Sequence, residues 1–207
     1  MTLRRPTTSL SGSLASRWCV VAVLLSGCAT QQGIELPPMN DWESRRQVLA
    51  ETDRFEFHGR IGVQAGDDGF NGKLWWWQRD ADFRATIGGP LSIGTVRIAG
   101  YRNEFTLTDK DGTVVTIEDA EADLQARYGW TLPIDSLRYW ALGIPDPGSP
   151  AETTFSNDGL LSSLVQLDWR VEISQYRDVG GQVMPRRLTA IRDDTKVVLV
   201  IDDWSFF

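Results

Sequence analysis

Phe70-Asn71-Gly72-Lys73-Leu74-Trp75-Trp76-Trp77 is the stretch whose reading decides the fold. Phe70, Gly72, Leu74 and Trp76 fall on one face, and Asn71, Lys73, Trp75 and Trp77 on the other, the period-two signature of a strand. Indoles on both faces of one strand allow two arrangements: core on one side with cover on the other, or one side lining an apolar cavity. A curled sheet accommodates both. On the N-terminal side, Phe55, Phe57, Ile61 and Val63 alternate with Glu56, His58, Arg60 and Gln64, and Gly66-Asp67-Asp68-Gly69 supplies the hairpin turn. On the C-terminal side, residues 79–82 turn the chain again, and Phe83, Ala85 and Ile87 alternate up to a loop, Gly88-Gly89-Pro90-Leu91-Ser92-Ile93-Gly94. Val96 and Ile98 carry the next strand away from it.

That loop is unusual because Leu91 and Ile93 stand at its centre, whereas loops normally run over the surface and are polar. Leu91 either folds back to cap a core or stays in water to meet something apolar. Full burial of one leucine stabilises by roughly 1.5–3 kcal/mol, so exposure needs a purpose.

The alternating pattern continues through Phe105 and Leu107, a turn at 109–112, and Val115 and Ile117. Residues 118–128 then read as a helix stopped by Gly129, and 133–142 as a second helix stopped by Gly143. A further helix is expected over about 42–53, capped by Asp41. The proline-containing stretch 144–159 reads as a loop. Strands resume near 160–167, 169–176, 187–192 and 196–203. The class is mainly β with a few helices: a meander of about nine to eleven antiparallel strands. A single sheet of that size curls into a barrel or half-barrel, with the helical insertion over its open side or mouth.

Hydrophobic residues make up 42% of the 207, enough for a substantial core, and nine tryptophans indicate a large buried aromatic surface. A net charge of −7 argues against nucleic acid as a partner. The chain is not expected to be an enzyme. His58 is the single histidine and lies on a polar strand face, Cys and His show no metal-ligand spacing, and the glycine pairs do not open a helix. No cofactor and no metal site are expected. The acidic pairs 67–68, 193–194 and 202–203 suit turns and solvation.

The N-terminus carries Arg4, Arg5 and Arg17, an apolar run over 18–25, then Ser26-Gly27 and Cys28. This is the layout of a secretory signal, and the apolar run is too short to span a bilayer as a helix. Leu25-Ser26-Gly27-Cys28 has the form of a bacterial lipobox, which places signal cleavage after residue 27 and acylation on Cys28. With three of the 21 basic residues lost and all 28 acidic ones kept, the net charge moves from −7 to −10. Several acyl chains, at about 0.8 kcal/mol per buried methylene, make a firm anchor. Ala29 rather than Asp follows the acylated cysteine, which by the enterobacterial rule directs a lipoprotein to the outer membrane. Residues 28–40 read as a tether and 41–207 as the domain.

The lipobox, Gly89-Pro90-Leu91-Ser92, the segment from Leu132 to Pro145, Met184-Pro185 and Asp203-Trp204 together make the chain resemble the outer-membrane lipoprotein receptors of the Lol pathway, the LolB family. The resemblance spans nearly the whole mature chain, and Leu137-Arg138-x-Trp140-x-Leu142-Gly143-x-Pro145 is its most specific part. It implies an open, unclosed antiparallel barrel with a helical lid over an apolar cavity. It implies a receptor that accepts acylated lipoproteins from a soluble periplasmic carrier and inserts them into the outer membrane. The partners implied are that carrier, the acyl chains of client lipoproteins and the outer membrane, reached by the receptor's own anchor on the periplasmic side; the protein is expected to be a monomer. The family's exposed loop leucine falls on Leu91, with Pro90 and Ile93 beside it; Gly89 stands where the family commonly has Asn or a similar residue. Alternation assigns Ile61, Leu74, Trp76, Val96, Leu137 and Trp140 to the cavity lining. The main rival is a lipid-anchored binding protein for a fatty acid or phospholipid. A structural envelope lipoprotein with a filled barrel is a second rival, and a hydrolase a third.

Overall fold

The computed structural model describes residues 34–89, 95–101 and 104–207. The signal segment, Cys28, Pro90, Leu91 and Ile93 lie outside the described residues. The chain begins with α1 (Trp42–Glu51) and six strands: β1 (Arg54–Ala65), β2 (Asp68–Arg79), β3 (Asp82–Gly88), β4 (Thr95–Tyr101), β5 (Glu104–Thr108) and β6 (Val114–Ile117). Two helices follow, α2 (Ala120–Tyr128) and α3 (Ile134–Leu142). The chain ends with β7 (Glu152–Phe155), β8 (Leu161–Gln166), β9 (Trp169–Val179), β10 (Gln182–Arg192) and β11 (Thr195–Phe206).

All eleven strands belong to one sheet in the order β6-β5-β4-β3-β2-β1-β11-β10-β9-β8-β7. Each neighbour is antiparallel. The topology explains the placing of the helices. The first six strands walk outward from β1 to one edge, and the last five walk inward from the other edge until β11 pairs with β1. The helical segment joins β6 to β7, so it connects the two edges. The edges do not pair with each other, and the sheet is the expected unclosed one.

Period-two burial sorts the sheet into two faces. In β1, Phe55, Phe57, Ile61 and Val63 are buried while His58, Arg60 and Gln64 are exposed. The inner residues of β2, β3, β9, β10 and β11 join them in one apolar cluster, which also takes Leu124 of α2 and Leu137, Trp140 and Ala141 of α3. Trp76, Trp140, Trp169, Phe55 and Phe57 are its largest fully buried side chains.

The helices form where local chemistry fixes their ends. Asp41 accepts from the Ser44 amide at 2.8 Å while Ser44 Oγ accepts from the Asp41 amide, a reciprocal capping box on α1. Asp119 accepts from the Ala122 amide at 3.0 Å and caps α2. Gly129 and Gly143 end α2 and α3 in the left-handed region, at φ of +74° and +83°. At α3 the Gly143 and Ile144 amides donate back to the Trp140 and Tyr139 carbonyls.

Three sequence readings are corrected. The expected loop 144–159 contains a strand, β7, all four of whose residues are exposed. The last strand does not stop at 203 but runs through Trp204 to Phe206, where Phe55 pairs with Phe206. β10 starts at Gln182, five residues before the expected start. Among the described residues preceding α1, Leu36 and Met39 pack on the core, and the Ile34 amide donates to the Phe206 carbonyl at 2.9 Å.

Candidate functional site

The inner face of the sheet and the helix across it hold the residues assigned to the acyl-chain site. Ile61 and Leu74 sit on adjacent strands, and Trp76 lies opposite Phe57. The Trp76 ring is stacked between Phe57 and Phe83, at centroid distances of 6.0 and 5.1 Å. Leu137 and Trp140 project from α3 into the same apolar cluster and are fully buried. Val96 is half-buried at the margin of that cluster, on β4. All six residues therefore lie in or against one apolar interior. Within it buried side chains pack on one another, as Trp76 does between Phe57 and Phe83. Of the six, Ile61 also borders a groove of about 1080 Å³, most of whose lining residues project from the opposite face.

Burial leaves polar groups unsatisfied. The Trp76 and Trp169 indole N–H groups are buried with no hydrogen-bond partner among the described residues. Each such donor costs about 1–3 kcal/mol relative to a paired one. Arg45, on α1, is also buried, with Nε and Nη2 unpartnered, and its guanidinium lies 5.8 Å from the Tyr176 ring centroid. Burial pulls the Arg45 pKa down. Burial also pushes the Tyr176 hydroxyl up to about 12, with the nearby Arg45 charge acting weakly the other way.

A compact polar web holds the helical cover. Gln166 is buried at an inward-facing position of β8. Its Oε1 accepts from Trp140 Nε1 and from the Asp146 amide, both at 2.9 Å. Its Nε2 donates to the Asp146 and Ser149 carbonyls at 2.8 and 2.7 Å. Every hydrogen-bonding position of that amide plane is used. Ser136 Oγ donates to Asp146 at 2.8 Å, and Tyr176 donates to the Leu161 carbonyl at 2.7 Å. These contacts fasten α3 and the residues that follow it to β8, and β9 to β8.

Segments far apart in sequence meet at this end. A methyl built on Gly143 would lie 2.9 Å from Pro185 Cγ and 3.3 Å from the Tyr176 oxygen. Met184 and Pro185 are buried on β10. Trp204 Nε1 donates to the Pro185 carbonyl at 3.2 Å, and the Trp204 ring stands 5.0 Å from Phe57. So Leu132–Pro145, Met184-Pro185 and Asp203-Trp204 belong to one structural unit, the seat of α3.

Gln166, Tyr176 and Arg45 were not singled out by sequence reasoning. For Gln166 the signal was there: a glutamine at a position of β8 where the alternation calls for an apolar residue. His58 is on the outer face, its ring 6.0 Å from that of Trp75. No group of three or more metal-ligating side chains occurs among the described residues.

A family model described as outer membrane lipoprotein LolB matches residues 53–204. The chain is 34% identical over 186 residues to the outer-membrane lipoprotein LolB of Pseudomonas aeruginosa (strain LESB58), covering 88% of this chain and 91% of that protein. It is 32% identical over 189 residues to the protein of the same name from Stutzerimonas stutzeri (strain A1501), covering 89% and 92%. Among solved structures, a LolA superfamily protein from Nitrosomonas europaea superposes with a TM-score of 0.52 at 11% identity, covering 80% of this chain and 93% of that one. That last likeness speaks for the fold.

Proposed function

The chain belongs to the family of the outer membrane lipoprotein LolB, and on that footing we propose that it receives acylated lipoproteins from a soluble periplasmic carrier and inserts them into the outer membrane. The observation that carries this reading is the continuous apolar inner face, spanning an unclosed sheet and covered by a helix seated on polar contacts. Acyl chains cannot cross water unshielded, because each exposed methylene costs about 0.8 kcal/mol. A receptor must bury them and give them up again, which needs graded affinities and no covalent step; the protein acts without catalysis.

In this reading Ile61, Leu74, Trp76, Val96, Leu137 and Trp140 contact the chains once α3 moves off the face. The unpaired indole donors of Trp76 and Trp169 favour such an opening, because the ester and amide carbonyls of an acylated cysteine can accept from them. Residues 1–27 are the signal, Cys28 carries the anchor, 28–40 form the tether, whose last residues from Ile34 already pack on the domain, and 41–207 form the binding domain. Pro90, Leu91 and Ile93 form the delivery segment. The protein works as a monomer, held at the periplasmic side of the outer membrane by its lipid.

The test is transfer in vitro. A lipoprotein held by its soluble carrier is mixed with this protein in the absence of a bilayer. The lipoprotein is expected to move onto this protein, and vesicles added afterwards should take it up. With Leu91→Glu, acceptance should persist while uptake by vesicles falls. Failure of the first step removes the receptor reading.

A further inference from the structure

The groove of about 1080 Å³ lies on the side of the sheet facing away from the helices. Its lining carries four cations, Arg60, Lys73, Arg187 and Lys196, against one carboxylate, Asp67. Lys73 stands directly opposite Arg60, Arg60 opposite Val200, and Val200 opposite Arg187. At about 4.8 Å between strands, the three cations form one row roughly 14 Å long. Lys196 adds a fourth, four residues from Val200 along β11 and opposite Gln64. Asp202 holds Arg60 at 2.9 Å. Among the described residues no carboxylate comes within ion-pairing distance of Lys73, Arg187 or Lys196.

Like charges directly opposite each other destabilise a sheet. Here they gather in a chain whose acidic residues outnumber basic ones 28 to 21. The floor between them is apolar and shallow-walled: half-buried Val198 and Val200, with Gly62 between the strands' side chains. A methyl on Gly62 would come within 2.6 Å of Asn71 Oδ1. The next cross-strand row carries Trp75, 39% exposed, and exposed Arg97.

We propose that this outer-face groove binds the headgroup of an anionic phospholipid of the membrane surface. The walls match a phosphate, and the valine floor matches the glycerol and first methylenes. An exposed indole beside basic side chains is suited to the bilayer–water boundary. The groove ends at Gly88 and Gly89, the residues that precede the delivery segment in the chain. Occupancy by lipid would hold Gly88 and Gly89 near the bilayer surface. The four cations all stand on the opposite face of the sheet from the proposed acyl-chain residues, and Ile61 is the one residue common to both sites.

The test uses the full lipidated chain in phosphatidylcholine vesicles carrying a minor share of phosphatidylglycerol with a photoreactive headgroup, or the same share of phosphatidylcholine so labelled. After illumination, crosslinks are mapped by mass spectrometry. The phosphatidylglycerol probe should label peptides covering 60–73 and 187–200 at least about fivefold more than the phosphatidylcholine probe. The triple variant Lys73→Gln/Arg187→Gln/Lys196→Gln should fall to the phosphatidylcholine level, with its thermal melting no lower, since a like-charge pair is removed, and its acceptance of lipoprotein unchanged. Equal labelling by both probes overturns the proposal, as does labelling elsewhere. Labelling abolished by excess inorganic phosphate marks a free-anion site instead. A triple variant that keeps its labelling but no longer accepts lipoprotein marks a carrier-docking surface instead.

Discussion

Gly143 shows how one residue ties the helix to the barrel. Its φ of +83° is a conformation that side chains disfavour, and Pro185 and Tyr176 occupy the space a methyl would need. Gly129 has a similar φ, +74°, with nothing within 4 Å of the position. Gly129→Ala should therefore cost about 1–2 kcal/mol, the left-handed penalty alone. Gly143→Ala should cost about 1–3 kcal/mol more, because the seat of α3 must shift to admit the methyl. Thermal melting of the pair checks this; equal losses would show that the Pro185 contact is unimportant. Tyr176 gives a pH signature at the same place. Its hydroxyl stays protonated up to about 12 in the folded chain, against an ordinary value near 10. Folding therefore gains from this group in full below pH 10 and loses that gain as pH rises toward 12, by about 2 kcal/mol. The alkaline fall in stability should be shallower in Tyr176→Phe over that window.

At the scale of elements, Gln166 is the pin between β8 and the helical cover. Gln166→Leu strands the Trp140 indole N–H, the Asp146 amide and two carbonyls in a buried setting. A loss of about 2–4 kcal/mol is expected, with amide exchange rising first in α3 and residues 144–149. An exchange map that rises uniformly would contradict a local pin. The elements also show what a sequence can and cannot disclose. β1, β2 and β3 were legible because one face is buried and the other wet, which writes a period of two into the chain. The stops of α2 and α3 were legible because Gly129 and Gly143 are the residues that left-handed caps require. β7 was not, because it is an edge strand with all four residues exposed, and an unburied strand leaves no apolar period. The extension of β11 was hidden for a different reason: Trp204, Ser205 and Phe206 look like an irregular tail until Phe55 and Phe57 are placed opposite them.

At the scale of the molecule, the open sheet follows from chain order. A meander that leaves from the centre to one edge and returns from the other must bridge the edges, and the bridge is the helical cover. Of the six residues proposed to line the site, Ile61, Leu74, Trp76 and Val96 fall on the inner face by alternation and Leu137 and Trp140 on the inward stripe of α3, and all but Val96 are almost wholly buried. Alternation reports which face a side chain takes. It does not report whether that face is filled by neighbours or by a ligand, so the closed packing of Trp76 between Phe57 and Phe83 could not be read from it. The basic row of the outer groove was equally hidden, because Arg60, Lys73 and Arg187 are brought together only by strand register. The central claim is that the inner face receives acyl chains when the cover moves. The measurement that tests it most directly places a photoreactive group along the acyl chain of a lipoprotein, transfers it from its carrier to this protein without a bilayer, and maps the crosslinks. Attachment at Leu74, Trp76, Leu137 and Trp140, lost when these positions are made polar in a variant that still folds, is the result expected. Attachment confined to the outer face, or undiminished in the polar variant, would contradict the account.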